Sequence, residues 1–281
     1  MSETDAFRFG DGDRLFGVLT LPDELDMRRP VFVHLSGGLL HRVGPRRLYV
    51  RLARELASAG FASFRVDLSG RGDSAVVPGR TYQEALRADW GAVMDELVSR
   101  VRASRIICGG LCSAADDAIR VGLEDFRVVG MILLDPVCDR DAGYNVREAK
   151  HRLLNPARYQ RWVRAKLGGV SVRRAPSPSD AVDPLSLRHA PSMDETRNTF
   201  EAIRDRGGSV FTLFTSYATA YLNEEGQMGR MLAIQGYERF ARECYWPAAE
   251  HSFTLEVHRR RLIEEIIEWS DRFRDGAPSI G

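Results

Sequence analysis

A cysteine stands where an apolar run turns into a helical pattern: the run 105–109 leads through Gly110-Leu111-Cys112-Ser113-Ala114 directly into a helical stretch. A strand that turns tightly into a helix strains the backbone of its middle residue, so small residues are needed two positions to either side. Gly110 and Ala114 meet that need. The turn lifts the side chain above the sheet edge, and the helix N-terminus behind it favours a thiolate and a developing oxyanion. The chemistry this spacing suits is attack by the Cys112 thiolate on a carbonyl carbon. The competing reading is a buried cysteine in an ordinary strand-to-helix turn. Ser113 is the poorer nucleophile, because Leu111 would then fill a position that requires a small residue.

An attacking thiolate needs oxyanion donors and a base. The apolar run Val31–Leu35 ends in Ser36-Gly37-Gly38-Leu39, a turn of the kind that offers a backbone N–H to an oxyanion. Leu39 would supply one N–H and Ser113 the other, unless this is a plain strand-to-loop turn. Glu250-His251-Ser252-Phe253 lies between the last strand-like run and the last helix, which makes His251 the candidate base. His41 follows the glycine turn and could face the same pocket. The other histidines lie in a strand (His34), in a late insertion (His151, His189) or in the terminal helix (His258). Cys108 sits within an apolar run and reads as a core residue. The four cysteines include no C-x-x-C pair, and no apolar leader precedes them, so reduced thiols, a cytoplasmic location and no structural zinc are expected.

The elements that must position these residues alternate. A hairpin over 8–21 turns at Asp11-Gly12-Asp13. Strands follow at 31–35, 61–67, 105–109 and 128–134, separated by helices at 47–58, 82–102 and 114–123. Such alternation predicts an α/β fold: a mostly parallel, twisted sheet with helices on both faces. The rhythm breaks after Pro136. Residues 137–207 read as an Arg-rich helical insertion, interrupted by a Pro/Ser segment at 175–179 that is the expected protease-sensitive point. Alternation resumes with a strand at 210–215, helix around 227–241, a short strand near 244–246 and a last helix at 255–274. The expected organisation is a core of 1–136 and 208–281 with a helical cap of 137–207 over the strand carboxyl ends.

Composition narrows the partners. The chain has 281 residues, 44% of them hydrophobic and 28% charged, with a net charge of +1, so no electrostatic case exists for nucleic acid or anionic lipid. No apolar run is long enough for a membrane span. No metal-ligand spacing, phosphate loop or dinucleotide fingerprint is present, so neither metal nor cofactor is expected.

The stretch from Ser36 through Arg42-Val43-Gly44 to Phe61, continuing into Asp67-Leu-Ser-Gly-Arg-Gly-Asp-Ser74, resembles the α/β-hydrolase superfamily. The likeness is nearest to exosortase-system-associated hydrolases, which carry a similar Gly-Gly-x-x-x-Arg-Val-Gly segment, a similar Asp-x-x-Gly-x-Gly-Asp-Ser turn and an Asp-His-x-Phe-Thr ending. Arg71-Gly72-Asp73 is explained by that turn rather than by an adhesion role. The resemblance implies the α/β-hydrolase fold with an inserted cap and an acyl-transfer site at the elbow.

Two departures set the expected chemistry. Most relatives carry serine at the elbow; here Cys112 and Ala114 replace Ser and Gly, a variant similar to that of dienelactone hydrolases and polyhydroxyalkanoate synthases. The intermediate becomes a thioester, which amines, thiols or a positioned alcohol can intercept if the cap excludes water. Relatives place the acid just after the strand assigned to 210–215, but here Ser216-Tyr-Ala-Thr-Ala220 holds no carboxylate. Asp135, at the end of the preceding strand, is the first candidate, as in lipases whose acid follows that strand; Asp139 and Glu225 come next, and a dyad without acid stays open. The expected function is an acyltransferase or thioesterase-like hydrolase using Cys112 and His251, on an acyl group carried by coenzyme A or a carrier protein. Alternatives are a carboxylic ester hydrolase, or a hydrolase-fold accessory protein that only binds.

Overall fold

A computed structural model describes residues 3–38, 40–154 and 188–274. The chain opens with β1 (Glu3–Phe9) and β2 (Leu15–Leu21), the antiparallel hairpin expected around residues 11–13. β3 (Val31–Leu35), β4 (Ser63–Asp67), β5 (Ile106–Leu111), β6 (Val128–Leu134), β7 (Ser209–Thr215) and β8 (Ala241–Trp246) complete one eight-stranded sheet in the order β1-β2-β4-β3-β5-β6-β7-β8. β2 pairs antiparallel with β1 and β4, and every other pairing is parallel. The α/β expectation therefore holds in class and in strand arrangement. β8 begins earlier than its apolar residues suggest. Ala241, Arg242 and Glu243 ladder onto β7 from a half-buried edge, where polar side chains are tolerated.

Alternation along the central strands fills two cores. On one face, Phe32, Ile107 and Phe211 meet α1 (Leu48–Ser58) and α8 (Glu256–Ser270) through Leu52, Leu56, Leu262, Ile266 and Trp269. On the other, Val33, Val66 and Met131 meet α2 (Tyr82–Val101), α3 (Ser113–Glu124) and, later in the chain, the helix Met193–Asp205. A capping box, Thr81 with Glu84, starts α2, and left-handed Arg102 ends it.

Within 137–207 the described elements are α4 (Tyr144–Leu154) and α5 (Met193–Asp205). α5 packs on α3, where the Thr199 hydroxyl donates to the Ile119 carbonyl at 3.0 Å. Residues 155–187, with the Pro/Ser segment 175–179, lie outside the described residues. The helical stretch expected at 227–241 is two short helices, α6 (Gln227–Leu232) and α7 (Tyr237–Phe240). They are broken where Ala233 and Gly236 turn left-handed, with φ of 49° and 71°. The carboxyl ends of β3, β5, β6, β7 and β8 lead respectively into the glycine turn, Cys112, Asp135, the loop after Thr215 and the loop bearing His251.

Candidate active site

Cys112 follows β5 directly and holds φ 62° and ψ −122°, a conformation that L side chains adopt only when their surroundings enforce it. Three backbone bonds enforce it here. The Cys112 N–H donates to the Leu134 carbonyl at 2.8 Å, the Ala115 N–H donates to the Cys112 carbonyl at 2.9 Å, and the Leu111 N–H donates to the Tyr49 hydroxyl at 2.8 Å. Gly110 is required by space: a Cβ there would lie 2.4 Å from the Ala114 Cβ and 2.8 Å from the Leu35 carbonyl oxygen. Gly37 is required as well, since its Cβ would come within 2.6 Å of the Leu111 carbonyl oxygen. The glycine turn therefore lies directly against the elbow. The Gly38 N–H fixes it there by donating to Ser113 Oγ at 2.8 Å. Leu39 lies outside the described residues.

Asp135 is fully buried just past β6, itself left-handed at φ 49°. Its Oδ2 lies 2.7 Å from His251 Nδ1 and accepts the Thr215 hydroxyl proton at 2.7 Å, while its Oδ1 accepts the Thr215 N–H at 2.7 Å. A carboxylate at Nδ1 selects the tautomer with the proton on that nitrogen and leaves Nε2 for the thiol. The Cys112 thiol and the His251 ring lie close enough to shift each other's protonation. The fold thus places Cys112 beside His251, whose ring is hydrogen-bonded to Asp135.

The other sequence candidates fall elsewhere. Asp139 is exposed, and Glu225 accepts the Tyr245 N–H at 3.1 Å; neither is bonded to His251. His41 is exposed, its Nδ1 accepting the Val43 N–H at 3.2 Å. Arg71, of Arg71-Gly72-Asp73, is turned inward onto Asp117 at 2.9 Å and the Tyr82 hydroxyl at 2.9 Å.

Two residues at the site carried no sequence signal of their own. Arg188 forms an ion pair with Asp116, with Nη2 2.9 Å from Oδ1, and the same nitrogen donates to the Asp135 carbonyl at 2.9 Å and the Cys112 carbonyl at 3.4 Å. Tyr217 stacks on the His251 ring at 4.1 Å between centroids. Asp116, buried one turn beyond the elbow, was the available clue that a cation must approach. Arginine supplies all but two of the 40 basic residues, so composition did not say which one.

Electrostatics favour a charged pair. Burial pushes the Cys112 thiol up, but the hydrogen bond to His251, the Arg188 guanidinium, the His251 charge and the Ser113 N–H together bring it below its ordinary value. Burial pushes His251 down, yet its bonds to Asp135 and Cys112 raise it to about 9. Both shifts favour transfer of the thiol proton to the imidazole. Cys108, Cys138 and Cys244 are all raised, chiefly by burial, and have no such partner. Among the described residues no His, Cys, Asp and Glu cluster is placed to hold a metal, and no helix is long and apolar enough to cross a membrane.

No protein-family profile matches the chain, and no curated protein does. Solved structures do match across nearly the whole length. The Pyrococcus furiosus esterase Pf2001 superposes with a TM-score of 0.58 at 15% identity, over 97% of this chain and 91% of that one. Est1E from Butyrivibrio proteoclasticus, solved with ferulic acid bound, gives 0.55 at 15% identity over 94% and 98%. DcsB, in complex with its substrate analogue, gives 0.55 at 13% identity over 96% and 100%. At such identities the likeness is one of fold, and it agrees with the sheet order and the strained turn after β5. The chain has the α/β-hydrolase fold.

Proposed function

We propose that the protein is a covalent acyl-transfer enzyme, an acyltransferase or thioesterase-like hydrolase that forms an acyl-thioester on Cys112. The observation that carries this reading is the 2.7 Å bond from His251 Nδ1 to buried Asp135, with the Cys112 thiol beside that ring on a strained turn. His251 takes the thiol proton, and the thiolate attacks the acyl carbonyl carbon. The oxygen becomes negative beside the N–H groups of Ser113 and Leu39, the latter assigned from the glycine turn alone. Collapse breaks the bond to the leaving group, which departs with the proton from the His251 imidazolium. The imidazole then deprotonates water or an acceptor alcohol, amine or thiol, whose attack releases the acyl group and restores Cys112. Asp135 holds the tautomer throughout.

The acyl donor in this reading is a thioester of coenzyme A or of a carrier protein. The residue pattern resembling exosortase-system-associated hydrolases supports this reading, with 137–207 as the cap and 1–136 with 208–281 as the core. A second reading, carboxylic ester hydrolysis at the same site, is favoured by the fold likeness to the Pyrococcus furiosus esterase and to Est1E with its ferulic acid. Incubation with acyl-coenzyme A and with p-nitrophenyl esters, followed by intact-mass measurement, tests both. One acyl adduct on Cys112 is expected, with none in Cys112→Ala and turnover reduced at least a thousandfold. Cys112→Ala activity within tenfold of wild type overturns the covalent mechanism. Free acid as the sole product when amine or alcohol acceptors are present selects hydrolysis over transfer.

A further inference from the structure

Away from Cys112, one buried cation makes no hydrogen bond or ion pair among the described residues. Arg65 lies in β4, directly across from His34 of β3, and the two are only 6% and 3% exposed. Phe32 and His34 share the face covered by α1, where the His34 ring lies 5.5 Å from that of Tyr49. Among the described residues the Arg65 guanidinium makes no hydrogen bond or ion pair. Its Nε and the His34 Nε2 are both shut off from solvent without a partner. A guanidinium held this far from water is disfavoured unless an acceptor reaches it.

The surroundings add positive charge rather than removing it. Arg42, Arg47 and Arg54 all lie near enough to act on Arg65, and together with burial they lower it to about 10. Arg47 and Arg54 are exposed and make no ion pair among the described residues. The nearby acid is Asp67, and it is already committed: it accepts the Arg42 N–H at 2.6 Å, the Arg42 guanidinium at 2.5 Å and the Asp73 N–H at 3.1 Å. His34 is driven to about 3 by burial and by Arg65, so it stays neutral and adds no counter-charge. Three guanidinium groups with no carboxylate bonded to them among the described residues, one of them deeply buried, match a dianion with several acceptor oxygens.

We propose that Arg65, Arg47 and Arg54 form a phosphate-binding site beside α1, which holds a phosphate of the acyl carrier, coenzyme A or phosphopantetheine. The carrier's identity rests on the acyl-transfer reading; the anion site does not. The sheet supplies the scale. Arg65 aligns with His34, and His34 with Gly109, three residues before Cys112. Two strand spacings across and three residues along separate the Arg65 and Cys112 Cα atoms by about 14 Å. An extended pantetheine arm covers such a span between its phosphate and its sulfur.

The test is thermal unfolding at constant ionic strength, in wild type and in Cys112→Ala, which binds without reacting. Sodium phosphate and coenzyme A are each expected to raise the midpoint by about 3 °C or more at saturation relative to chloride, and phosphate-free pantetheine to leave it unchanged. Arg65→Gln should abolish both shifts while unfolding no earlier than wild type in chloride. The paired surface change Arg47→Gln with Arg54→Gln should weaken coenzyme A at least tenfold, and it decides the matter if Arg65→Gln fails to fold. Coenzyme A binding at least tenfold tighter than inorganic phosphate identifies the carrier; equal affinities retain the anion site and overturn the carrier. No shift with either ligand, or shifts that persist in the arginine variants, overturns the site. Because Cys112→Ala is included, loss of the covalent mechanism and loss of the anion site register separately.

Discussion

Asp135 uses one carboxylate oxygen for two partners, the His251 ring and the Thr215 hydroxyl, and the other for the Thr215 N–H. The Thr215 bonds fix the carboxylate before the histidine is considered. Asp135→Asn should therefore cost little stability, while an amide donor facing Nδ1 favours the wrong tautomer and lowers acylation by about 10²–10⁴. Alkylation by iodoacetamide gives an independent reading. The depressed Cys112 and raised His251 mean that thiolate is lost only as pH falls through the lowered thiol value, and imidazolium only as pH rises through about 9. The wild-type alkylation midpoint should thus lie below that of an ordinary thiol, whereas Asp135→Asn should show its midpoint moved up toward one. An unmoved midpoint would assign Asp135 a purely structural role. The Cys112 and His251 positions were legible because a strained turn and a strand-to-helix loop leave marks in residue size and order. Asp135 was legible only as one of several carboxylates, since nothing local in Leu134-Asp135-Pro136 states that Thr215 and His251 will meet there.

At the scale of elements, the site is tied together across loops. Ser113 opens α3 and holds the glycine turn through Gly38, while Arg188, just before α5, bonds to the carbonyls of both Cys112 and Asp135. Arg188→Met removes a cation beside the thiolate and strands a buried Asp116 carboxylate. It should raise the Cys112 alkylation midpoint and destabilise the fold by about 3–5 kcal/mol, as measured by denaturant unfolding. Adding Asp116→Asn should recover stability but leave the thiol midpoint high; recovery of both would mean that Arg188 acts only through packing. Strand and helix order were readable from apolar periodicity. The first half of β8 and the break after α6 were not, because an edge strand needs no apolar face and an alanine gives no warning of a positive φ.

Over the whole molecule, two cores back one sheet, and β7 is buried along its entire length between them. Phe211, fully buried against Trp269 and α8, carries much of one interface. Phe211→Ala should lower unfolding stability by about 3–5 kcal/mol, a large share of the 5–15 kcal/mol typical of a domain. A loss below about 1 kcal/mol would mean that this core repacks freely. The same long-range construction governs when the chemistry switches on. Asp135 and His251 are 116 residues apart in sequence, and Cys112 lies further still from its histidine. A growing chain therefore exposes a slow, ordinary thiol throughout most of its synthesis. In the proposed mechanism Cys112 would become reactive only once β8 has docked and the loop after it has closed, so the order of synthesis itself would guard the cysteine.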